Sequence, residues 1–132
     1  MDKAPVILVA DRNAHVREFL RRELVAEGYD IRLAKCGREV LNWVYRLHPL
    51  DIVILDLDLP DIDEELFFSK LQERIPVLPI IIHSFQPDGV KSAINYENMV
   101  FVEKRGNSIE KVKKVVNDIL LSRKTGQPPP AK

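Results

Sequence analysis

Four short apolar runs in this sequence each lead into a residue able to do chemistry. Asp11 closes ILVA (7–10), Asp56 closes IVIL (52–55), Ser84 follows PIIIH (79–83) and Lys104 follows VFVE (100–103). If these runs are strands of one parallel sheet, their carboxyl ends share an edge, which is where open α/β sheets hold ligands. Two carboxylates, a hydroxyl and an ammonium gathered there suit an acyl-phosphate site. One carboxylate serves as nucleophile, while the hydroxyl and the ammonium bind phosphoryl oxygens and offset their charge. Asp56 is the candidate nucleophile, because the stretch DIVILDLDLPD (51–61) reads as a strand buried on both faces at the centre of the sheet.

The elements that must carry these residues are legible from periodicity. Pro5 to Ala10 reads as the first strand, and Asn13 can cap a helix whose stripe is Val16, Phe19, Leu20 and Leu24, stopped by Gly28. Residues 29–34 read as an edge strand. Residues 37–48 read as a helix with Val40, Leu41, Val44 and Leu47 on one face, ended by Pro49. After the central strand, an acidic start at 61–65 leads into a helix lined by Leu66, Phe67 and Leu71 and stopped by Pro76. Residues 78–83 are a fourth strand. Pro87 opens a fourth helix over roughly 87–96, with Val90, Ala93 and Ile94 inward. Residues 99–103 are the fifth strand. Asn107 with Glu110 forms a capping-box pattern before a last helix striped by Val112, Val115, Val116, Ile119 and Leu120.

Alternating strands and helices predict an α/β fold, a flavodoxin-like (βα)5 three-layer sandwich with a parallel sheet of order 2-1-3-4-5. The domain is expected over 1–124, with 125–132 (TGQPPPAK) as a flexible proline-rich tail or truncated linker. At 132 residues the chain holds one core. Its 20 basic and 20 acidic residues balance, which gives no reason to expect direct nucleic-acid or membrane binding. A single cysteine, Cys36, cannot form an internal disulfide, and no apolar run approaches membrane-spanning length, so a cytoplasmic setting is expected. His15, His48 and His83 lack metal-ligand spacing. Asp58, Asp61 and Asp63 lack the glycine and glutamate of a calcium loop and read as solvated.

The blocks ILVAD (7–11), GYDIRLAKCGREVL (28–41), DIVILDLDLP (51–60), PIIIHS (79–84) and VFVEK (100–104), in this order, resemble the receiver domain of two-component response regulators. That resemblance implies phosphorelay signalling without enzymatic turnover. It makes Asp56 the phospho-acceptor, Asp11 a member of the acidic pocket, Ser84 and Phe101 the switch residues, and Lys104 the phosphate-binding lysine. It implies magnesium held by Asp11, Asp56 and the backbone carbonyl of Asp58. It also implies a sensor histidine kinase or phosphotransfer protein as partner, and an unidentified output protein met by the fourth helix, fifth strand and last helix. The oligomeric state, a homodimer included, stays open.

The chain departs from the pattern at several positions. Arg12 stands where the family carries its second acidic residue, so Asp11 and Asp56 face Arg12 and Lys104 in a pocket of no net charge. Magnesium binding is therefore expected to be weak, and Arg12 is a candidate ion-pair partner for Asp56. Arg105 follows Lys104 in place of proline, so the bond between them is expected trans. Phe85 is bulky where a small residue is usual, narrowing access to Asp56, and Glu64 replaces a glycine. The competing reading is a pseudo-receiver, a phosphorylation-independent interaction module held by an Arg12–Asp56 pair. A remoter one is a small aspartyl-phosphate phosphatase, because ILDLDLP resembles the nucleophile motif of haloacid-dehalogenase-type phosphatases. Too few residues follow Asp56 for that family's other motifs, and Pro60 breaks the motif itself.

Overall fold

In the computed structural model, residues 3–46, 49–85, 96 and 98–125 are described, apart from the side chains of Glu64, Lys124 and Thr125. The apolar runs become the strands β1 (Val6–Ala10), β2 (Asp30–Ala34), β3 (Ile52–Leu55), β4 (Ile80–Ser84) and β5 (Met99–Glu103). All neighbours pair in parallel, in the order β2-β1-β3-β4-β5. The helices are α1 (Ala14–Ala26), α2 (Gly37–Val44), α3 (Glu64–Gln72) and α4 (Ser108–Thr125). The helix expected over 87–96 lies outside the described residues apart from Tyr96, which is buried and donates its hydroxyl to the carbonyl of Leu78 at 2.9 Å.

Two apolar clusters cover the two faces of the sheet, as period-2 strands buried on both sides require. One gathers Leu8, Val53, Leu55, Ile80 and Ile82 under α2 and α3. The other gathers Ile7, Val9, Ile54, Ile81 and Val102 under α1 and α4. Charged contacts close the second layer: Lys113 of α4 donates to Glu23 of α1 at 2.9 Å. Asn13 caps α1 by accepting from the amides of His15 and Val16, and Gly28 ends it at φ 97°, a conformation in which a side chain would be strained.

Several details differ from the sequence reading. Phe19 is 40% exposed rather than part of the buried stripe of α1, and on α3 Phe68 is buried beside the expected Phe67 and Leu71, while Leu66 is 56% exposed. The α2 helix ends at Val44, well before Pro49, with Leu47 outside the described residues. The α4 helix extends through Thr125, and the rest of the expected tail, 126–132, lies outside the described residues. Asp61 and Asp63 are not merely solvated. Asp63 caps α3 by accepting from the amide of Leu66 at 3.3 Å. Asp61 caps α2 from a distance in sequence, accepting from the amides of Gly37 at 2.5 Å and Arg38 at 3.0 Å.

Candidate functional site

Register brings the site together. Ala10 pairs with Leu55, so the next residues, Asp11 and Asp56, emerge side by side at the carboxyl ends of β1 and β3. These two central strands hand the chain off in opposite directions, to β2 on one side and β4 on the other, which opens a crevice between them. Asp11 is 1% exposed and Asp56 2%. Lys104 begins one residue beyond β5, where its amide donates to the carbonyl of Ser84 at 2.9 Å. Its ammonium reaches back across the edge, 3.0 Å from Asp11 Oδ2 and 3.5 Å from Asp56 Oδ2.

Two buried carboxylates are held against mutual repulsion by the half-buried ammonium of Lys104 and by backbone amides. Asp11 Oδ1 accepts from the amide of Asn13 at 2.8 Å. Asp56 Oδ1 accepts from the amide of Asp58 at 3.0 Å, and Oδ2 from the amide of Arg12 at 3.2 Å. Burial pushes the carboxyl of Asp11 above its ordinary range, against the lowering by the Asn13 amide and Lys104, and nearby Asp56 adds to the rise. Arg17 ties the same corner down by donating to the carbonyl of Asp11 at 2.8 Å.

Most of the residues picked from sequence converge here: Asp11, Asp56, Lys104 and, beside them at the end of β4, buried Ser84. Phe101 is half-buried against the layer under α2 and α3. The expected Arg12–Asp56 ion pair is not formed. Arg12 is exposed and reaches Asp56 through its backbone amide alone, while Lys104 takes the ionic role. Being already on the sheet edge, Lys104 reaches both carboxylates, leaving the guanidinium to water. The Lys104–Arg105 bond is trans, as expected. Phe85 is 65% exposed and lies over the ammonium of Lys104, whose nitrogen is 5.3 Å from the ring centroid.

Sequence reasoning missed His83. It is 4% exposed, and its Nε2 lies 2.9 Å from Ser108 Oγ in the first turn of α4. Burial first, and then the charge of Lys104, lower its pKa to about 4, with Asp56 opposing. The signal was available: strand alternation puts His83 on the same face as Ile81, toward α1 and α4.

The site is thus a carboxylate pair and a lysine at the switch point of a doubly wound parallel sheet. The family model for the response regulator receiver domain matches residues 7–117, and the chain belongs to that family. The response regulator MprA of Mycolicibacterium vanbaalenii is 40% identical over 76 residues, 58% of this chain and 32% of that protein. MprA of Mycobacterium leprae is 38% identical over 76 residues, covering 58% and 33%. The match thus spans about a third of those relatives' length. Among solved structures, the response regulator TrrA of Thermotoga maritima, in complex with Mg(2+)-BeF, superposes with a TM-score of 0.73 at 27% identity, covering 87% of this chain and 98% of that one. The signal receiver domain of an HD domain-containing protein from Pseudomonas fluorescens shares the fold at TM-score 0.80 and 19% identity, covering 93% and 99%. Receiver domains of this family serve two-component phosphorelay signalling. Among the described residues, no helix is long and apolar enough to cross a membrane.

Proposed function

We propose that this chain is a cytoplasmic receiver that takes a phosphoryl group onto Asp56 from a partner histidine kinase or phosphotransfer protein. The observation that carries the reading is the ammonium of Lys104 lying 3.0 Å from Asp11 and 3.5 Å from Asp56. An oxygen of Asp56 attacks phosphorus on the donor's phosphohistidine. The O–P bond forms as the P–N bond breaks, the imidazole leaves with the electron pair, and Asp56 becomes an acyl phosphate. Lys104 offsets the charge that gathers on the equatorial oxygens, and the amides of Arg12 and Asp58 are fixed donors beside the nucleophile. Ser84 then turns toward the phosphoryl group and Phe101 follows, reshaping the face of β5 and α4 for an output protein. The receiver spans 1–124.

The family implies magnesium, and TrrA carries it. The residues here fit that ion poorly. Asp11, Asp56 and the Asp58 carbonyl are the oxygen donors, with Arg12 in the place of a third carboxylate. All four carboxylate oxygens already accept from an amide or face the Lys104 ammonium. Among the described residues no three acidic, histidine or cysteine side chains cluster to hold a metal. Magnesium binding is therefore weak.

This poor fit favours the second reading, a pseudo-receiver signalling by protein contact alone, now held by Lys104 instead of Arg12. Incubation with an acyl-phosphate donor, with and without magnesium, followed by intact mass, separates the two. Gain of one phosphoryl mass that disappears in Asp56→Asn supports the receiver. An unmodified wild-type chain under both conditions overturns it.

A further inference from the structure

Phosphoryl transfer onto Asp56 changes the charge of the site. At rest, Asp11 and Asp56 face one ammonium, that of Lys104. An acyl phosphate on Asp56 carries about one negative charge more than the carboxylate it replaces. Magnesium fits poorly here, because Arg12 stands in the place of a third carboxylate and the oxygens of Asp11 and Asp56 are engaged. The added charge needs another counter-ion.

Arg12 is rooted beside that charge. Its amide donates to Asp56 Oδ2 at 3.2 Å, and the next amide, of Asn13, donates to Asp11 Oδ1 at 2.8 Å. The carbonyl of Asp11 accepts from Arg17 at 2.8 Å, so the peptide between Asp11 and Arg12 is held at both of its polar atoms. The backbone of Arg12 therefore has a fixed position against both carboxylates. Neighbouring cations are committed: Lys104 to Asp11 and Asp56, Arg105 to Glu103, and Arg17 to the Asp11 carbonyl. The Arg12 side chain is exposed and forms no ion pair among the described residues.

We propose that the guanidinium of Arg12 is the counter-ion of the incoming phosphoryl group, so that Asp56 is phosphorylated without a metal ion. This rests on Asp56 being the phospho-acceptor. With an acyl-phosphate donor, an oxygen of Asp56 attacks phosphorus, the new O–P bond forms as the donor's O–P bond breaks, and the donor's carboxylate leaves with the electron pair. The guanidinium turns in from water and pairs with two phosphoryl oxygens in the fork geometry that suits phosphate. Lys104 offsets the remaining charge from the other side. Because Arg12 makes no ion pair with Asp56 at rest, this attraction is gained only as the phosphoryl group arrives, and it therefore speeds the transfer.

The test times labelling of the full chain by acetyl phosphate, read by intact mass, in EDTA and in magnesium. The wild type should be labelled in EDTA nearly as fast as in magnesium. Arg12→Ala should slow the metal-free reaction by about a hundredfold, the effect of losing one fixed donor to the transition state. Arg12→Lys keeps the charge without the fork and should retain part of the rate. Arg12→Asp exchanges the guanidinium for a metal ligand, so its labelling should come to depend on magnesium. The Arg12 side chain is exposed, so these variants keep the fold, and their amide spectra check it. Apart from rates, the Nε–H resonance of Arg12 in EDTA should shift when the chain is labelled. A wild type labelled only with magnesium, an Arg12→Ala chain labelled as fast as the wild type in EDTA, or an unmoved Arg12 resonance in the labelled chain overturns the role of Arg12 and leaves Asp56 as the acceptor. A wild type labelled under neither condition overturns the acceptor as well.

Discussion

Burial of His83 makes acid sensitivity a measurable property of the sheet edge. The imidazole takes up a proton at the ordinary 6.5 in the unfolded chain, but in the native state only near 4, because burial and then Lys104 disfavour the charged form. Between those values the unfolded chain holds more protons, so falling pH favours unfolding. The contribution is fully present above 6.5 and is lost as pH falls toward 4. A separation of about 2.5 pH units at 1.36 kcal/mol each amounts to about 3 kcal/mol, of which about 2 kcal/mol is gone by pH 5. Urea unfolding at about pH 7 and about pH 5 measures it, for the wild type and for His83→Gln, which cannot titrate. Asp11 works in the opposite sense, since a raised carboxyl pKa disfavours the native state as pH rises through it, but it is common to both chains and cancels. The wild type should lose about 2 kcal/mol more than the variant over this interval. Equal losses in the two chains would refute the assignment of His83 as a buried neutral ring.

Three other perturbations probe the site and its support. Arg12→Asp restores a third carboxylate beside Asp56, and should raise magnesium affinity by at least about tenfold, read by calorimetry, and speed labelling by an acyl-phosphate donor; no change in either defeats the account of Arg12. Lys104→Met leaves Asp11 and Asp56 buried without their ammonium and should cost about 3 kcal/mol at neutral pH, with part recovered in acid as Asp11 protonates; urea midpoints at two pH values check both. Gly37→Ala places a methyl group 3.0 Å from Asp61 Oδ1 and 3.1 Å from Ile62 Cγ1. Crowding there and disturbance of the α2 cap should outweigh the helix preference of alanine, for a net loss of about 1 kcal/mol in denaturant unfolding.

The strand runs were readable because a buried parallel strand is continuous in β-branched residues, and register then follows from packing both faces. Placing Asp11 beside Asp56 needed nothing more than the ends of two such runs. What failed to read were choices between partners. Arg12 and Lys104 are both cations within reach of Asp56 in sequence logic, but only one is delivered by a strand end onto the edge. Asp61 looked like a loop carboxylate, yet its lowered pKa reflects amides of Gly37 and Arg38 overcoming the cost of burial. A bond spanning 24 positions leaves no local pattern to detect. Phe19 and Leu66 fit the helical stripes by spacing but are exposed, and on α3 Phe68 is buried in the layer beneath.

The end of β4 is where these threads meet. Alternation sends Ser84 to the face of Ile82 and His83 to the face of Ile81, so two successive side chains address opposite layers of the sandwich. His83 is bonded to Ser108 at the start of α4, and the carbonyl of Ser84 accepts from the amide of Lys104. The backbone of Ser84 thus holds Lys104, and the neighbouring side chain holds α4. These two contacts join α4 to the acidic edge through the layer opposite Phe101. Substituting Ser108→Ala removes the hydroxyl without disturbing the apolar packing around it. If the link transmits the switch, the variant should still be labelled on Asp56 while amide exchange in the first turn of α4 no longer responds to labelling. A response equal to that of the wild type would place the transmission elsewhere.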